Sequence, residues 1–168
     1  MLEWYMEDHH VGLDIDDVLS DFCPAFCKRF GLREPHYWNF DRDIADKFKT
    51  LSGDREFWLS LPIKTDPESI RYEPHCYITS RSIPKEWTEN WLDKNGFAAV
   101  PVYQVGIDGS KVEIAQKSGI DLFIDDRFSN FVELNRAGIM TYLFDAPHNR
   151  RYDVGHRRIY TVNDILTR

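Results

Sequence analysis

At 168 residues the chain has room for one compact domain with a modest insertion, and not for two independent cores. Its 42% hydrophobic and 29% charged residues are ordinary for a soluble globular protein, and a net charge of -7 argues against nucleic-acid binding through broad attraction to the phosphate backbone. The N-terminal MLEWYMEDHH lacks the apolar core of a secretory signal, and no apolar run reaches the ~18 residues of a membrane span. Cys23, Cys27 and Cys76 have neither disulfide-framework nor zinc spacing, so a soluble cytoplasmic protein with reduced, buried thiols and no membrane partner is expected.

The first apolar run, His10–Ile15, reads as a strand, and a helical stretch follows near Asp21–Phe30. From about residue 22 to 72 no strand pattern is visible, only helical segments broken by Pro, Gly and Asp. Cys76–Thr79 is a second strand. Pro84–Asn95 reads as a helix: Pro84 suits a first turn, Trp87, Trp91 and Leu92 share one face, and Asn95-Gly96 ends it. A strand at Val100–Val105, a helix at Val112–Ser118 and a strand at Leu122–Ile124 follow. Then come a helix at Asn130–Ala137, stopped by Gly138, and a strand at Ile139–Phe144. A weak final pair lies at Arg158–Thr161 and Asn163–Leu166.

Alternation of strand and helix predicts an α/β fold: a Rossmann-like, mostly parallel sheet with helices on both faces. Residues 1–168 then form a single domain, with a core of about 9–21 and 73–168. A small helical cap, about 22–72, is inserted after the first strand. Ligands of such sheets sit at the carboxyl ends of the strands. Two of those ends are acidic: Asp14-Ile15-Asp16-Asp17 after the first strand, and Asp125-Asp126 after Leu122-Phe123-Ile124. Alternation along a strand lets Asp14 and Asp16 point to one side. So many carboxylates at one sheet edge repel one another unless a cation sits among them, and a hard ion with oxygen ligands such as Mg2+ answers that need.

Four motifs, in order, resemble those of the haloacid-dehalogenase-like phosphohydrolase superfamily. Val11-Gly12-Leu13-Asp14-Ile15-Asp16-Asp17-Val18-Leu19 matches an apolar strand followed by D-x-D. Tyr77-Ile78-Thr79 matches a strand ending in Thr or Ser, Lys111 a lysine near a helix start, and Leu122–Asp126 a strand ending in paired acids. The residue after the second aspartate is usually Gly, where an unusual backbone is permitted; here it is Asp17, and Asp tolerates such conformations better than most residues.

The resemblance implies a phosphatase in which Asp14 is the nucleophile and becomes a phospho-aspartate, while Asp16 acts as general acid and then general base. Crowding of Asp16 by Asp14 and Asp17 is expected to favour its protonated form. Mg2+ would be held by Asp14, the main-chain carbonyl of Asp16 and Asp126, with Asp125 in support. Thr79 would donate to a phosphoryl oxygen, Lys111 would offset charge, although Lys117 lies close by, and Ser80 and Arg81 could also reach phosphate.

Substrate choice should rest with the cap, whose segment holds Phe22, Phe26, Phe30, Tyr37, Trp38, Phe40, Phe48, Phe57 and Trp58. Most of these rings are expected to build the cap's own core; Phe22, just past the catalytic loop, and Arg81 are expected in the substrate pocket. The opening Asp14–Phe22 and the stretch Leu143–Arg150 are similar to the 5'(3')-deoxyribonucleotidase family. That implies a nucleoside monophosphate as the small-molecule phosphomonoester. Thr79-Ser80-Arg81 and Ile124-Asp125-Asp126-Arg127 also resemble nucleic-acid 3'-phosphatases of the polynucleotide kinase-phosphatase type. The acidic net charge opposes that reading, and the basic cluster Arg150, Arg151, Arg157 and Arg158 favours it. A third reading is a non-catalytic binding module with this fold.

Overall fold

The structure is a computed structural model that describes residues 9–35, 37 and 42–167. The N-terminal reading therefore lies outside the described residues up to residue 8, as do Trp38 and Phe40. Six strands form one sheet: β1 (Val11–Leu13), β2 (Cys76–Thr79), β3 (Val102–Gln104), β4 (Leu122–Asp125), β5 (Met140–Phe144) and β6 (Arg158–Ile159). They lie in the order β3-β2-β1-β4-β5-β6, and every pairing between neighbours is parallel. The chain steps outward from β1 through β2 to β3, then crosses back to place β4 on the other side of β1. The order thus reverses between β1 and β4, and a crevice opens there at the carboxyl ends of the strands.

Parallel strands are covered on both faces, which is why β1, β2 and β4 are buried throughout rather than alternately. Alternation instead sorts side chains between two layers. Val11, Leu13, Tyr77, Leu122 and Ile124 join a cluster that includes Trp91 and Leu92 of α4 (Lys85–Lys94). Ile78 and Phe123 pack on the other face with Ala115 of α5 (Val112–Lys117) and Leu134 of α6 (Phe128–Arg136). Gly12 belongs to this second face by alternation. A Cβ built there would lie 2.7 Å from side-chain atoms of both Ile120 and Phe123, so the glycine is what lets Phe123 close over the central strand.

Between β1 and β2 the chain forms α1 (Phe22–Phe30), α2 (Arg42–Leu51), α3 (Arg55–Leu59) and a short 3-10 turn, Pro67–Ser69. Gly31, at φ 65°, closes α1, and the Leu32 amide donates back to the Cys27 carbonyl at 2.8 Å. Asp54 caps α3 by accepting from the Phe57 amide at 3.0 Å. The rings of this insertion do pack on one another: Phe22 stacks on Trp58 at 5.4 Å between centroids, and Phe26 on Phe48 at 4.8 Å. Phe22, Phe26, Leu51 and Trp58 belong to the same apolar cluster as the sheet residues Leu13 and Tyr77, so insertion and sheet share one core.

Several elements are shorter than the sequence suggests. β1 ends at Leu13 because the Ile15 carbonyl accepts from the amides of Val18, Leu19 and Ser20, which winds the chain into a tight loop. β3 starts at Val102 because Pro101 has no N–H and the Val100 amide turns back to the Ala98 carbonyl. After β6 the last segment is a 3-10 helix, Val162–Thr167. Cys23, Cys27 and Cys76 are free and buried. No helix among the described residues is long and apolar enough to cross a membrane. His9 and His10 are fastened to the opposite end of the sheet, through Asp121 and the Gly119 carbonyl.

Candidate functional site

Register brings the acidic strand ends together. Leu13 pairs with Ile124, and the Asp14 amide donates to the Ile124 carbonyl at 3.0 Å, so Asp14 and Asp125 leave neighbouring strands side by side. Lys111, at the cap position of α5, reaches under both. Its Nζ lies 2.8 Å from Asp14 Oδ1 and 2.7 Å from Asp125 Oδ2, with the side chain only 2% exposed. Lys117, by contrast, pairs with Glu113 on the surface of α5. Of the two lysines, Lys111, at the helix start, is the one that the fold puts at the strand ends.

Asp125 is fully occupied. Besides Lys111 it accepts from Asn130 Nδ2 on both oxygens, at 3.2 and 3.1 Å, and from the Arg127 amide at 2.8 Å. Asp126 is held from behind by His148 Nε2, 2.6 Å from Oδ2, while Asn149 Nδ2 donates to the Asp126 carbonyl at 2.7 Å. Asp14 Oδ1 also accepts from the Ile15 amide at 2.8 Å, which together with Lys111 fixes the rotation of the carboxylate.

Burial is the largest influence on these groups. It pushes the Asp14 carboxyl well above the usual carboxylate range, with Lys111 pulling down and Asp125 and Asp126 adding to the rise. Asp125 is likewise raised by burial against the pull of Lys111. In Asp126 burial pushes upward, but the hydrogen bond and charge of His148, joined by Asp14 and Lys111, outweigh it, and its carboxyl lies below the usual value. For Lys111 burial disfavours the ammonium, but the Asp125 and Asp14 carboxylates outweigh it and the pKa is raised.

Three buried carboxylates share this site with Lys111 and His148, and burial disfavours the charge on each carboxylate. Oxygens of Asp14, Asp125 and Asp126 lie within 4.8 Å of one another, an all-oxygen donor set that fits a hard divalent cation. Since Asp125 is already saturated, Asp14 and Asp126 are the carboxylates fitted to hold it, with Asp125 bracing the lysine. Asp17, Cys23 and His148 also approach one another. There, however, burial drives the Cys23 thiol far up, and Asp17 and His148 are engaged elsewhere, so that group is a poor donor set.

Asp17 has φ 61°, a left-handed conformation that glycine adopts freely and Asp better than most residues. Its Oδ1 accepts from the Cys23 amide at 2.8 Å, capping α1 in place of Asp21, whose side chain makes no cap bond. Asp17 thus ties the insertion's first helix to the loop that carries Asp14. Asp17→Gly is expected to be more stable than Asp17→Ala by about 1 kcal/mol, because both lose the cap but only Ala keeps the left-handed strain. Thermal denaturation of the two variants measures this; equal midpoints would show that the backbone there carries no strain.

Above the strand ends lies a cavity of about 650 Å³, a size suited to a small molecule. Asp14, Asp16, Thr79, Ser80, Arg81 and Asp126 line it from the sheet side. Phe22, Phe48, Lys49 and Trp58 line it from the insertion, and of these only Phe22 was singled out by the sequence reading. Lys111 is not among the lining residues; its charge reaches the cavity through Asp14.

Asp16 faces this cavity from the tight loop rather than from a strand, so β-alternation is not what aligns it with Asp14. The charged group nearest it is also not the carboxylate neighbour expected from sequence. Arg81 Nε lies 2.9 Å from Asp16 Oδ2 and Nη2 2.7 Å from Oδ1, and Ser20 Oγ donates to Oδ1 at 2.8 Å.

No protein-family model matches this chain, and no curated protein sequence matches it. Its chemistry is therefore read from the site. His148 and Asn149, to which the motifs assign no role, hold Asp126. Their signal was an imidazole and an amide just past β5, a third strand end at the same edge. The basic cluster is divided: Arg157 and Arg158 are partly buried, whereas Arg150 and Arg151 are exposed. Arg150 and Arg158 pair with Asp145, Arg157 lies 5.3 Å from the Tyr142 ring centroid, and Arg151 lies over Tyr37 and Tyr152.

Proposed function

We propose that this chain is a magnesium-dependent phosphomonoester hydrolase of the haloacid-dehalogenase-like type, forming an aspartyl-phosphate on Asp14, with nucleoside monophosphates as its substrate class. The observation that carries the reading is the clamp on Asp14. A carboxylate at a sheet switch point faces a cavity of about 650 Å³, and one of its oxygens is fixed by a buried lysine and a backbone amide.

Asp14 attacks phosphorus in line while the ester oxygen departs and takes a proton from Asp16. Water then loses a proton to Asp16 and attacks the phospho-aspartate, freeing Asp14 and phosphate. The Thr79 hydroxyl, buried at the end of β2 on the cavity wall, is placed to donate to a phosphoryl oxygen. Lys111 keeps Asp14 oriented and offsets its charge. Asp14, Asp126 and the Asp16 carbonyl would hold magnesium, whose charge on the phosphoryl oxygens supplies electrostatic stabilisation when bound. On the insertion side, Phe22, Phe48 and Trp58 offer apolar area to a base and Lys49 a cation at the rim; such stacking is worth about 1–3 kcal/mol per base.

The test is phosphate release, with and without magnesium, from 5'- and 3'-deoxynucleoside monophosphates, ribonucleotides, sugar phosphates and a 3'-phosphorylated oligonucleotide, with Asp14→Asn as control. Preference for monophosphates is the expected result. Preference for the oligonucleotide would move the chain to nucleic-acid end repair, a reading opposed by the net charge of -7. Absence of Asp14-dependent release from every substrate would leave a binding module with this fold.

A further inference from the structure

Arg81 lines the cavity, as its place after Thr79 and Ser80 suggests, and its guanidinium is engaged with Asp16. Its side chain is fully buried and forks onto both oxygens of Asp16, whose own side chain is 20% exposed. Its Nη1 is 3.4 Å from Thr88 Oγ1, which donates to Gln104 Oε1 at 2.7 Å, and Gln104 Nε2 in turn donates to the Ile83 carbonyl at 2.7 Å. Indole rings approach the guanidinium from both parts of the fold. Trp58 of the insertion is 4.9 Å away and Trp91 of α4 is 5.8 Å away. A planar guanidinium held by a bidentate pair, a third polar contact and two rings has little freedom to turn to an incoming phosphate.

We propose that Arg81 is a positioning residue that aims the Asp16 carboxyl at the leaving-group oxygen. This rests on the phosphohydrolase reading above. Oδ1 of Asp16 accepts two bonds, from Arg81 Nη2 and Ser20, and Oδ2 accepts one, from Arg81 Nε. Oδ2 is therefore the oxygen to carry the proton, and Arg81 Nη2 still holds Oδ1 when it does. In the first step the bond from Asp14 oxygen to phosphorus forms and the phosphorus–ester oxygen bond breaks. The electron pair goes to the ester oxygen, which receives the proton from Asp16 Oδ2. In the second step water gives a proton to the same oxygen, its oxygen bonds to phosphorus, and the Asp14–phosphorus bond breaks. Because Trp58 comes from the insertion, the arrangement also ties the aim of Asp16 to the seating of that insertion on the sheet.

Leaving-group dependence separates this role from phosphate binding. A nucleoside or other alkyl monophosphate needs its departing oxygen protonated, whereas p-nitrophenyl phosphate releases a stable phenolate. Arg81→Lys is expected to lower kcat/KM by about 10²-fold on the best alkyl ester of the panel and by less than about 10-fold on p-nitrophenyl phosphate. Thr88→Val, which removes the contact behind the guanidinium without touching the cavity, should show the same selectivity at smaller size and keeps the test open if Arg81→Lys fails to fold. Equal losses on both esters, from a wild-type protein that is active, would overturn the positioning role alone and make Arg81 a phosphate ligand. Absence of release from either ester by the wild type would overturn the hydrolase reading and this role with it.

Discussion

Asp14→Asn is expected to abolish magnesium-dependent phosphate release, by at least about 10³-fold, while the protein stays folded. The side chain keeps its shape and an oxygen for the Ile15 amide and Lys111, but an amide cannot form the acyl-phosphate. Stability should move the other way from activity. Burial raises the Asp14 carboxyl well above its ordinary range, so folding favours its protonated form. The stability from that proton is fully present below the ordinary carboxylate pKa and is lost as pH rises through the folded-state value. Asparagine is neutral at every pH. Without divalent ions, the variant's melting temperature should therefore gain on the wild type as pH rises from acidic to neutral. Added magnesium should close the gap by stabilising the wild type more. Thermal denaturation across pH, with and without magnesium, measures this; a variant that keeps the wild-type rate of phosphate release would remove Asp14 from the chemistry.

The parts of the fold legible in the sequence are those set by local pattern. Apolar runs ending in Asp14 and Asp125 mark two central strands, because burial on both faces leaves no polar alternation to confuse them. The long stretch without strands marks the insertion, and an Asp at position 17 suits the left-handed backbone found there. What sequence hides is partnership over distance. A place at the start of α5, 14 residues before Asp125, favours Lys111 over Lys117, but it is the crossing from β3 back to β4 that carries Lys111 beneath Asp14. The pairing of Asp16 with Arg81 spans the whole insertion, so local reading surrounds Asp16 with Asp14 and Asp17 and misses the guanidinium. His148 reads as a loop residue until β5 is placed beside β4.

Lys111→Met is expected to be among the most destabilising single substitutions, at about 3–5 kcal/mol, and to abolish phosphate release as well. Methionine fills much the same volume, so the cost is electrostatic: Asp14 and Asp125 lose the ammonium that pairs with both and stay buried. Lys111 itself has a raised pKa, so the stability it gives is fully present below the ordinary lysine value and is lost only as pH rises through the higher folded-state value. At neutral pH the whole contribution is at stake. In the variant, Asp14 and Asp125 are pushed further up, and their protonated forms relieve the repulsion as pH falls. The deficit should therefore be largest at mildly alkaline pH and shrink on acidification, as read by urea denaturation. Adding Asp14→Asn removes one uncompensated charge, so the double variant should regain part of the lost stability while staying inactive. A double-mutant cycle measures that coupling. Strict additivity of the two substitutions would show that the lysine serves packing rather than charge, and the clamp on Asp14 would lose its physical basis.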